Sequence, residues 1–246
     1  MEKNSYDVEA KVESFHWWFF VRRRLLRNLL HSLDLPQEFS AMDIGCGTGS
    51  NLRILGSLGL YKVVGLDRSP YALSLAKKKA NLPFVSGDIN NLPIRSNSIG
   101  LIIALDILEH IDNDLNAIRE LYQILRKGGI LILTVPAFNF LWGTQDVVTG
   151  HKRRYLRKEI ANKLRDVGFE ISRSSYFNFL LFFPILMARR MIHLLGLKIA
   201  SENEINSPLI NFLLKAIFSM EVYVFKYFSF PFGVSILCIA KKRDDE

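Results

Sequence analysis

The stretch Met42-Asp43-Ile44-Gly45-Cys46-Gly47-Thr48-Gly49-Ser50-Asn51 decides the fold of this chain. A short apolar run precedes the three alternate glycines, and Leu52, Leu55 and Leu58 follow them at helical spacing. This order predicts a buried strand, a glycine turn and the start of a helix, an arrangement that presents main-chain N–H groups to a nucleotide-like ligand. Asp43 ends the predicted strand, and we expect its carboxylate to face the ligand crevice.

The spacing of the glycines separates one kind of nucleotide site from another. A dinucleotide fingerprint needs Gly-x-Gly-x-x-Gly, and its third glycine position is Ser50 here. A P-loop needs a Gly-Lys-Ser/Thr ending, which this turn lacks. An acid before the glycines suits a ligand with a cationic, amine-bearing tail. Residues 43–49 resemble the first motif of the class I S-adenosylmethionine (SAM)-dependent methyltransferases, which implies SAM as cofactor and S-adenosylhomocysteine as product; a glycine turn without a ligand is the alternative.

Two further predicted strands also end in acidic side chains. Asp67 ends the second strand, where a doubly wound fold uses an acid to accept hydrogen bonds from ribose hydroxyls. Asp88 follows the third strand, where it can accept the adenine amino N–H while Ile89 packs on the ring. The predicted cofactor-binding residues are Asp43, Gly45, Cys46, Gly47, Gly49, Asn51, Asp67, Arg68, Asp88, Ile89, Leu105 and, from the N-terminal arm, Arg23.

The 246 residues are enough for one α/β domain with a sizeable core and an appendage. The resemblance implies a doubly wound, Rossmann-like sheet of seven strands. We expect a helical arm over residues 1–38, a SAM-binding domain over 39–177 plus 233–243, and an apolar helical insert over 178–232. The insert separates two strands that would be hairpin neighbours in such a fold.

The N-terminal arm carries Glu13-x-x-His16-Trp17-Trp18-Phe19-x-x-Arg22-Arg23, which resembles the front of a bacterial and archaeal methyltransferase subfamily. One interpretation is an amphipathic helix that docks its aromatic side chains on the sheet. The other is a lid over the cofactor, in which an arginine meets the cofactor carboxylate through a charge-assisted pair. Both interpretations stay open at this point.

The acceptor side is predicted beyond the fourth and fifth strands, because ligands of such folds lie at the carboxyl ends of the strands. His110 follows the fourth strand, and His151 and Tyr155 flank a basic run; these three are the candidate catalytic residues, as bases or contacts of the reacting centre. Helix-start or surface roles are the alternatives. The candidate substrate-binding residues are Trp142, Arg153 and Arg154. Asp106, Glu109, His110 and Asp112 could suggest a metal site, as in the catechol-type O-methyltransferases. Nothing in the spacing fixes a coordination geometry, so a metal is the minor interpretation and none is expected.

The insert contains two apolar runs edged by arginine and lysine. It suits the core of an extra helical subdomain, a homodimer interface or an element lying on an anionic membrane surface. No charge-free apolar run reaches the length of a membrane span. The net charge of +8 favours anionic partners. Two cysteines and the lack of an N-terminal apolar signal predict a cytoplasmic protein, peripheral on the inner membrane face.

Three functions are therefore compared. The first is a SAM-dependent methyltransferase acting on a small-molecule, lipid or lipid-linked glycan acceptor at the membrane surface. The second is a SAM-binding scaffold without turnover. The third is an RNA methyltransferase, which ranks lower because no recognisable RNA-binding module accompanies the arginines, so a nucleic-acid partner is not expected.

Overall fold

The computed structural model of the protein describes residues 3–197, 202 and 207–243. Within these ranges a helix separates each of the first five strands from the next, except that the fourth strand follows the third without one. The strands are β1 (Ser40–Ile44), β2 (Lys62–Asp67), β3 (Phe84–Ser86), β4 (Ile99–Leu105), β5 (Leu125–Pro136), β6 (Phe169–Phe177) and β7 (Ser235–Lys242). The helices are α1 (Lys3–Val12), α2 (Trp17–Ser32), α3 (Leu52–Gly56), α4 (Pro70–Lys79), α5 (Asp114–Ile124), α6 (Thr144–Thr149), α7 (Arg157–Val167), α8 (Phe182–Leu194) and α9 (Pro208–Val224).

The strands form one sheet in the order β3-β2-β1-β4-β5-β7-β6. Neighbours from β3 to β5 pair in parallel, while β7 runs antiparallel to both β5 and β6. The chain reverses direction in strand order beside β1, so β1 and β4 flank a topological switch point, where ligands of open α/β sheets bind. The predicted doubly wound, seven-stranded sheet is confirmed.

Successive side chains of the central strands point to opposite faces of the sheet and pack into two cores, one on each face. Met42 and Ile102 belong to the core that α5 and α7 cover, whereas Ala41 and Leu101 belong to the core covered by α2, α3 and α9. Every residue of β4 is buried, as expected for a central parallel strand. Helix α9 contributes Phe218 and Val222 to the second core, and Phe225 directly after the helix adds to it, so the insert is partly built into the domain.

The N-terminal arm is two helices rather than one. Helix α2 begins after His16, whose ring nitrogen accepts a hydrogen bond from the Trp18 N–H at 3.3 Å and so caps the helix. Trp18 stacks on Phe177 of β6 and Phe218 of α9, with ring planes 8° and 13° apart. The arm is thus fixed to both the sheet and the insert.

The insert forms α8 and α9, and its polar middle falls largely outside the described residues. Among the residues that the structure describes, no helix combines the length and the apolar character that crossing a bilayer requires. Glu221 of α9 lies beneath the start of the insert, where its carboxylate accepts hydrogen bonds from the backbone N–H groups of Asn178, Phe179 and Leu180 at 2.6, 2.6 and 3.2 Å.

Candidate active site

A cavity of about 500 Å³ opens at the carboxyl ends of the parallel strands. Its walls include the glycine turn after β1, the segments that follow β2 to β5, the helices of the arm, the inner sides of α8 and α9, and the start of β7. The volume lies within the range that small-molecule and cofactor sites occupy. The arm therefore covers the carboxyl edge of the sheet, where the sequence pattern places the ligand.

The glycine turn needs glycine for its backbone shape. Gly45 has φ +74°, and a Cβ there would lie 2.3 Å from Cδ1 of Ile107; Gly49 has φ +80°, and its Cβ would lie 2.9 Å from Cβ of Ala76. Of the predicted residues in this stretch, four line the cavity: Gly45, Cys46, Gly47 and Asn51. Gly49 instead allows close packing against α4.

The acid after β2 supports the turn and faces the cavity. One carboxylate oxygen of Asp67 accepts from the Gly47 N–H at 2.9 Å, and the other from the Ser69 N–H at 2.8 Å. Ser69 in turn caps α4 through a 3.2 Å bond from the Ala72 N–H. Each carboxylate oxygen keeps a further acceptor position, so Asp67 remains able to accept from a ligand.

The remaining predicted cofactor residues on the sheet side also meet at this cavity. Arg68, Asp88, Ile89 and Leu105 all line it. Asp88 accepts the Asn90 N–H at 2.8 Å, which orients its carboxylate, and lies 4.0 Å from the Arg68 guanidinium. Ile89 is almost fully buried and presents an apolar surface beside the carboxylate.

Asp43 departs from the expectation that its carboxylate faces the crevice. The side chain is 1% exposed, lies beneath the glycine turn and is not among the cavity-lining residues. Its Oδ2 has no hydrogen-bond partner. Burial raises the pKa of the Asp43 carboxyl to about 7, although the nearby Arg22 charge opposes the shift. The strand pattern could not show that the Asp43 side chain is buried, because the burial depends on the glycine turn, which closes over the side chain.

The arginine of the arm that reaches the cavity is Arg22 and not the expected Arg23. Arg22 pairs with Asp106, which follows β4 and has φ +54°. The other Asp106 carboxylate oxygen accepts from the Thr134 hydroxyl at 2.9 Å. Arg23 instead donates to the backbone carbonyl of Glu13. Consecutive helical residues point about 100° apart, so only one of the two can face inward.

Arm residues complete the cavity on the side opposite the sheet. Tyr6, Glu9, Trp17 and Phe19 line it. Burial, reinforced by the charge of Glu13, raises the pKa of the Glu9 carboxyl to about 7. Glu13 itself pairs with Lys79 and accepts from the Thr48 hydroxyl, so the arm is tied to the glycine turn and to α4.

At the far end of the cavity two predicted histidines meet. The rings of His110 and His151 are 4.7 Å apart between centroids and nearly perpendicular. Burial, followed by the His151 charge, lowers the pKa of His110 to about 4. His151 Nδ1 lies 2.7 Å from Oδ1 of Asp146, and its Nε2 lies 3.8 Å from Oε1 of Glu109. Both histidines and Glu109 line the cavity.

Arg154 reaches the cavity wall but already has an internal partner. Its Nε and Nη2 each donate to one oxygen of the buried Asp146 at 2.9 Å, and Nη1 donates to the Ala137 carbonyl at 2.9 Å. Although burial opposes ionisation, the bond with His151 and the Arg154 charge keep the pKa of Asp146 low. Arg154 therefore holds Asp146, and Asp146 holds His151.

Three predicted acceptor-side residues lie outside the cavity. Tyr155 is 1% exposed, and its hydroxyl donates to Asp114 at 2.9 Å; burial and the Asp114 charge raise its pKa, so it is not placed to take a proton from an acceptor. Arg153 donates to the Asp112 carbonyl, and Trp142 lines a separate depression. Residues 153–155 form an extended segment bridged to Ala137, so successive side chains point in different directions.

Several cavity residues were absent from the predicted set. Glu109, Asp106 and Arg189 line the cavity, as do Ile185 and Ile192 of α8. Arg189 pairs with Glu202 at 2.7 Å and reaches the Leu141 carbonyl. The Asp106–His110 run signals polar chemistry after a strand, but nothing local to α8 indicates that its inner side faces the ligand.

Comparison with known proteins agrees with this architecture. Residues 42–133 match the family model described as "Methyltransferase domain". The chain is 26% identical over 250 residues to the ubiquinone/menaquinone biosynthesis C-methyltransferase of Campylobacter jejuni, covering 97% of this chain and 93% of that one. Of other curated relatives, at 28–33% identity, the chain spans 44–59% of the length.

Solved structures share the fold at low sequence identity. A chain from the complex between the Haloferax volcanii Trm112 methyltransferase activator and its methyltransferase aligns with a TM-score of 0.66 and 18% identity, over 99% of this chain and 96% of that one. The phosphoethanolamine N-methyltransferase 2 of Haemonchus contortus aligns with a TM-score of 0.58 and 20% identity, over 90% of this chain and 52% of that one. At these identities the likeness concerns the fold.

Proposed function

We propose, from the match of residues 42–133 to the methyltransferase domain model, that the protein binds SAM and transfers its methyl group to an amphiphilic acceptor at a membrane surface. The observation that carries the proposal is the meeting of the glycine turn, Asp67 and Asp88 at one cavity under the strands' carboxyl ends. The cavity offers backbone N–H groups for the methionyl part of an adenosyl ligand, carboxylates for its ribose and adenine, and apolar surface for the adenine ring.

In the proposed complex Asp67 accepts from the ribose hydroxyls and Asp88 from the adenine amino group, with Ile89 against the ring. Gly45 and Gly47 allow the backbone to approach the methionyl part. Arg22 is the cation available to the SAM carboxylate, because it lies on the cavity wall beside the turn. Binding there would make SAM compete with Asp106 for the guanidinium.

The proposed reaction is an in-line displacement at the SAM methyl group. The acceptor's lone pair forms the new bond to carbon, the carbon–sulfur bond breaks, and its electron pair leaves on sulfur as neutral S-adenosylhomocysteine. The sulfonium supplies the reactivity, while the protein aligns and desolvates the reactants. His110 and His151 are the cavity residues available to accept a proton that the acceptor loses.

Both sides of the insert helices α8 and α9 carry apolar side chains, and this favours an amphiphilic acceptor. Ile185 and Ile192 of α8 and Leu214 of α9 line the cavity. The outer sides of the same helices leave large apolar side chains exposed. These are Phe183, Met187, Met191 and Leu194 on α8, and Leu209, Phe212, Leu213, Met220 and Tyr223 on α9. An apolar acceptor can therefore pass from a surface that covers the insert into the cavity that the insert lines.

The net positive charge of the chain favours a lipid surface as the partner that covers the exposed apolar side of α8 and α9. The chain carries a net charge of +8, so a second copy is repelled and an anionic bilayer is attracted. Arg190 and Lys226 are exposed at the edges of the insert. The two acidic side chains described there, Glu202 and Glu221, are engaged in internal contacts. The relative from Campylobacter jejuni, named for quinone biosynthesis, is consistent with an apolar acceptor.

SAM binding by calorimetry tests the core of the proposal. Asp67→Asn keeps the shape of the side chain but removes the negative charge, and we expect SAM to bind at least about tenfold more weakly, since a charge-assisted hydrogen bond contributes about 1.5–3 kcal/mol. The control is Asp166→Asn, at an exposed position on α7. Equal SAM affinity of the Asp67→Asn variant and the wild type would contradict the assigned role.

Turnover requires a separate measurement, because binding alone also fits a scaffold. Purified protein is incubated with methyl-labelled SAM and either a lipid extract or total RNA. Label in an apolar product supports the proposal. Label in RNA, together with RNA binding that weakens steeply with salt, would establish the RNA methyltransferase instead. Tight SAM binding with no labelled product in either extract would favour the scaffold.

A further inference from the structure

Glu109 is a buried carboxyl without a hydrogen-bond partner in the cavity wall. Its side chain is 0% exposed, and neither carboxylate oxygen has a hydrogen-bond partner. Burial and the charge of Asp106 raise the pKa of Glu109. A buried carboxyl normally has partners, because a buried polar group without a hydrogen bond destabilises the folded state. Glu109 also lines the cavity. Its carboxylate has no hydrogen-bond partner in the protein, so it is placed to interact with a ligand bound in the cavity.

Two imidazoles share this position with Glu109. One ligating atom from each of Glu109, His110 and His151 can be chosen so that all three lie within 4.8 Å of one another. An ion with Zn–N distances of about 2.0–2.1 Å would require the three side chains to close in by rotation. Two imidazoles and one carboxylate are a donor set that divalent transition metals accept and that Mg²⁺ does not favour.

The surroundings of His151 match those of a metal ligand. Its Nδ1 meets Asp146 at 2.7 Å, so Nδ1 carries the proton and the lone pair of Nε2 points toward Glu109. Asp146 is itself fixed by two hydrogen bonds from Arg154. Metal-ligating histidines commonly donate their second ring N–H to a carboxylate in this way, which fixes the tautomer and the ring.

We propose that Glu109, His110 and His151 bind one divalent transition-metal ion, with Zn²⁺ as the best-fitting species, in the wall of the cavity. Three protein ligands leave a coordination position open toward the cavity, as in catalytic zinc sites. The proposal differs from the expectation from the sequence, which favoured no metal. It rests on the proposed function in one respect: the open position would take an acceptor oxygen or nitrogen and lower the pKa of its proton. With the ion bound, the ring lone pairs of His110 and His151 would be on the metal, so the released proton would pass to solvent rather than to an imidazole.

Metal binding by the full-length protein is measured independently of methyl transfer. After removal of metal with a chelator, Zn²⁺ is titrated against a chromophoric competitor, and Co²⁺ is added separately to record its visible spectrum. We expect one equivalent of Zn²⁺ per chain, a Co²⁺ spectrum of low coordination number, and a higher melting temperature with Zn²⁺ than with Mg²⁺. Glu109→Gln and His151→Ala should each weaken Zn²⁺ binding by more than about tenfold.

The matched controls are His31→Ala and His193→Ala, both at exposed histidines, which should leave Zn²⁺ affinity unchanged. Glu109→Gln preserves volume and removes a buried charge, so its melting temperature without metal reports on folding separately. Failure of the wild type to bind Zn²⁺ and Co²⁺ would overturn the proposal, as would equal binding by the Glu109→Gln variant. Stoichiometric binding without any methyl transfer would uphold the metal site and count only against the proposed function.

Discussion

At the scale of the residue, Tyr155 shows how a candidate base can be a structural group. Its hydroxyl donates to Asp114, which also pairs with Lys163 at 2.5 Å, and both lie behind the cavity wall. We expect Tyr155→Phe to retain methyl transfer and to lower the free energy of unfolding by about 1.5–3 kcal/mol, the usual contribution of a hydrogen bond to a charged group.

Chemical denaturation and an activity assay with the same acceptor measure the two effects of Tyr155→Phe. The control is Tyr61→Phe, at a tyrosine that is 78% exposed, and it should change neither quantity. Loss of activity in a fully folded Tyr155→Phe variant would contradict the structural role and make Tyr155 a catalytic candidate again.

The predicted cofactor residues that line this cavity on the sheet side share one property: each has its place at the end of a strand or in the segment that follows one. Asp67 ends β2, and Asp88 and Ile89 follow β3, so the fold brings all three to the carboxyl edge of the sheet. Arg22 and Arg23 could not be separated, because the orientation of α2 depends on a helix break near His16. Glu109 could not be recognised as a site residue from its local sequence, because its neighbour His151 is 42 positions away and is brought near by the segment after β5.

At the scale of the element, Glu221 joins α9 to the segment leading into α8 through hydrogen bonds. It accepts three backbone N–H groups at residues 178–180. We expect Glu221→Gln to reduce the free energy of unfolding by about 1–3 kcal/mol, because the amide group has one acceptor oxygen and leaves a buried N–H without a partner. Glu170→Gln, at an exposed position of β6, is the control.

The same carboxyl predicts a pH dependence of stability. Burial raises the pKa of Glu221 to about 7 from its ordinary value of 4.5, while its hydrogen bonds oppose the shift. Between pH 4.5 and 7 the folded state binds more protons here than the unfolded state, so this contribution to stability is present at low pH and lost as the pH rises. Denaturation curves of wild type and Glu221→Gln should differ less at high pH than at low pH; a constant difference would contradict the assignment.

At the scale of the element, the sequence also predicted the arm and the insert as helical, but not their mutual contact. Trp17 donates its backbone N–H to the Asn211 side chain at 2.7 Å, and Trp18 stacks on Phe218 of the same helix. Apolar residues at helical spacing show that a face is buried, without showing against what. The pairing of α2 with α9 depends on contacts nearly 200 residues apart.

At the scale of the whole molecule, the sheet, arm and insert together present a covered cavity beside an exposed apolar face. The position of the cavity follows from the strand order, which puts the switch point at the carboxyl ends of β1 and β4. The exposed apolar face comes from the 57 residues between β6 and β7, whose helices pack inward with some apolar side chains and leave others outside. A patch of this kind on a basic protein indicates an interaction surface.

Flotation with lipid vesicles tests whether that surface meets a bilayer. The wild type should float with vesicles containing anionic lipid, and less with zwitterionic vesicles or at high salt, because basic residues near an anionic surface contribute about 1 kcal/mol each and are screened by salt. The triple variant Phe183→Ser, Met187→Ser and Met191→Ser removes apolar area from one side of α8 and should lose most of the binding. Tyr61→Ser, which removes an exposed aromatic side chain outside the insert, is the matched control.

SAM affinity of the triple variant serves as the check that its cavity remains folded. Undiminished flotation of that variant would contradict the membrane assignment. A wild-type dimer in light scattering that the triple substitution converts to a monomer would instead make a second copy of the chain the occupant of this face. Because the apolar inner sides of α8 and α9 line the cavity, a bilayer on their outer sides would place a lipid-like acceptor within reach of the methyl group, and vesicle binding should then raise the rate of transfer to such an acceptor but not to a water-soluble one.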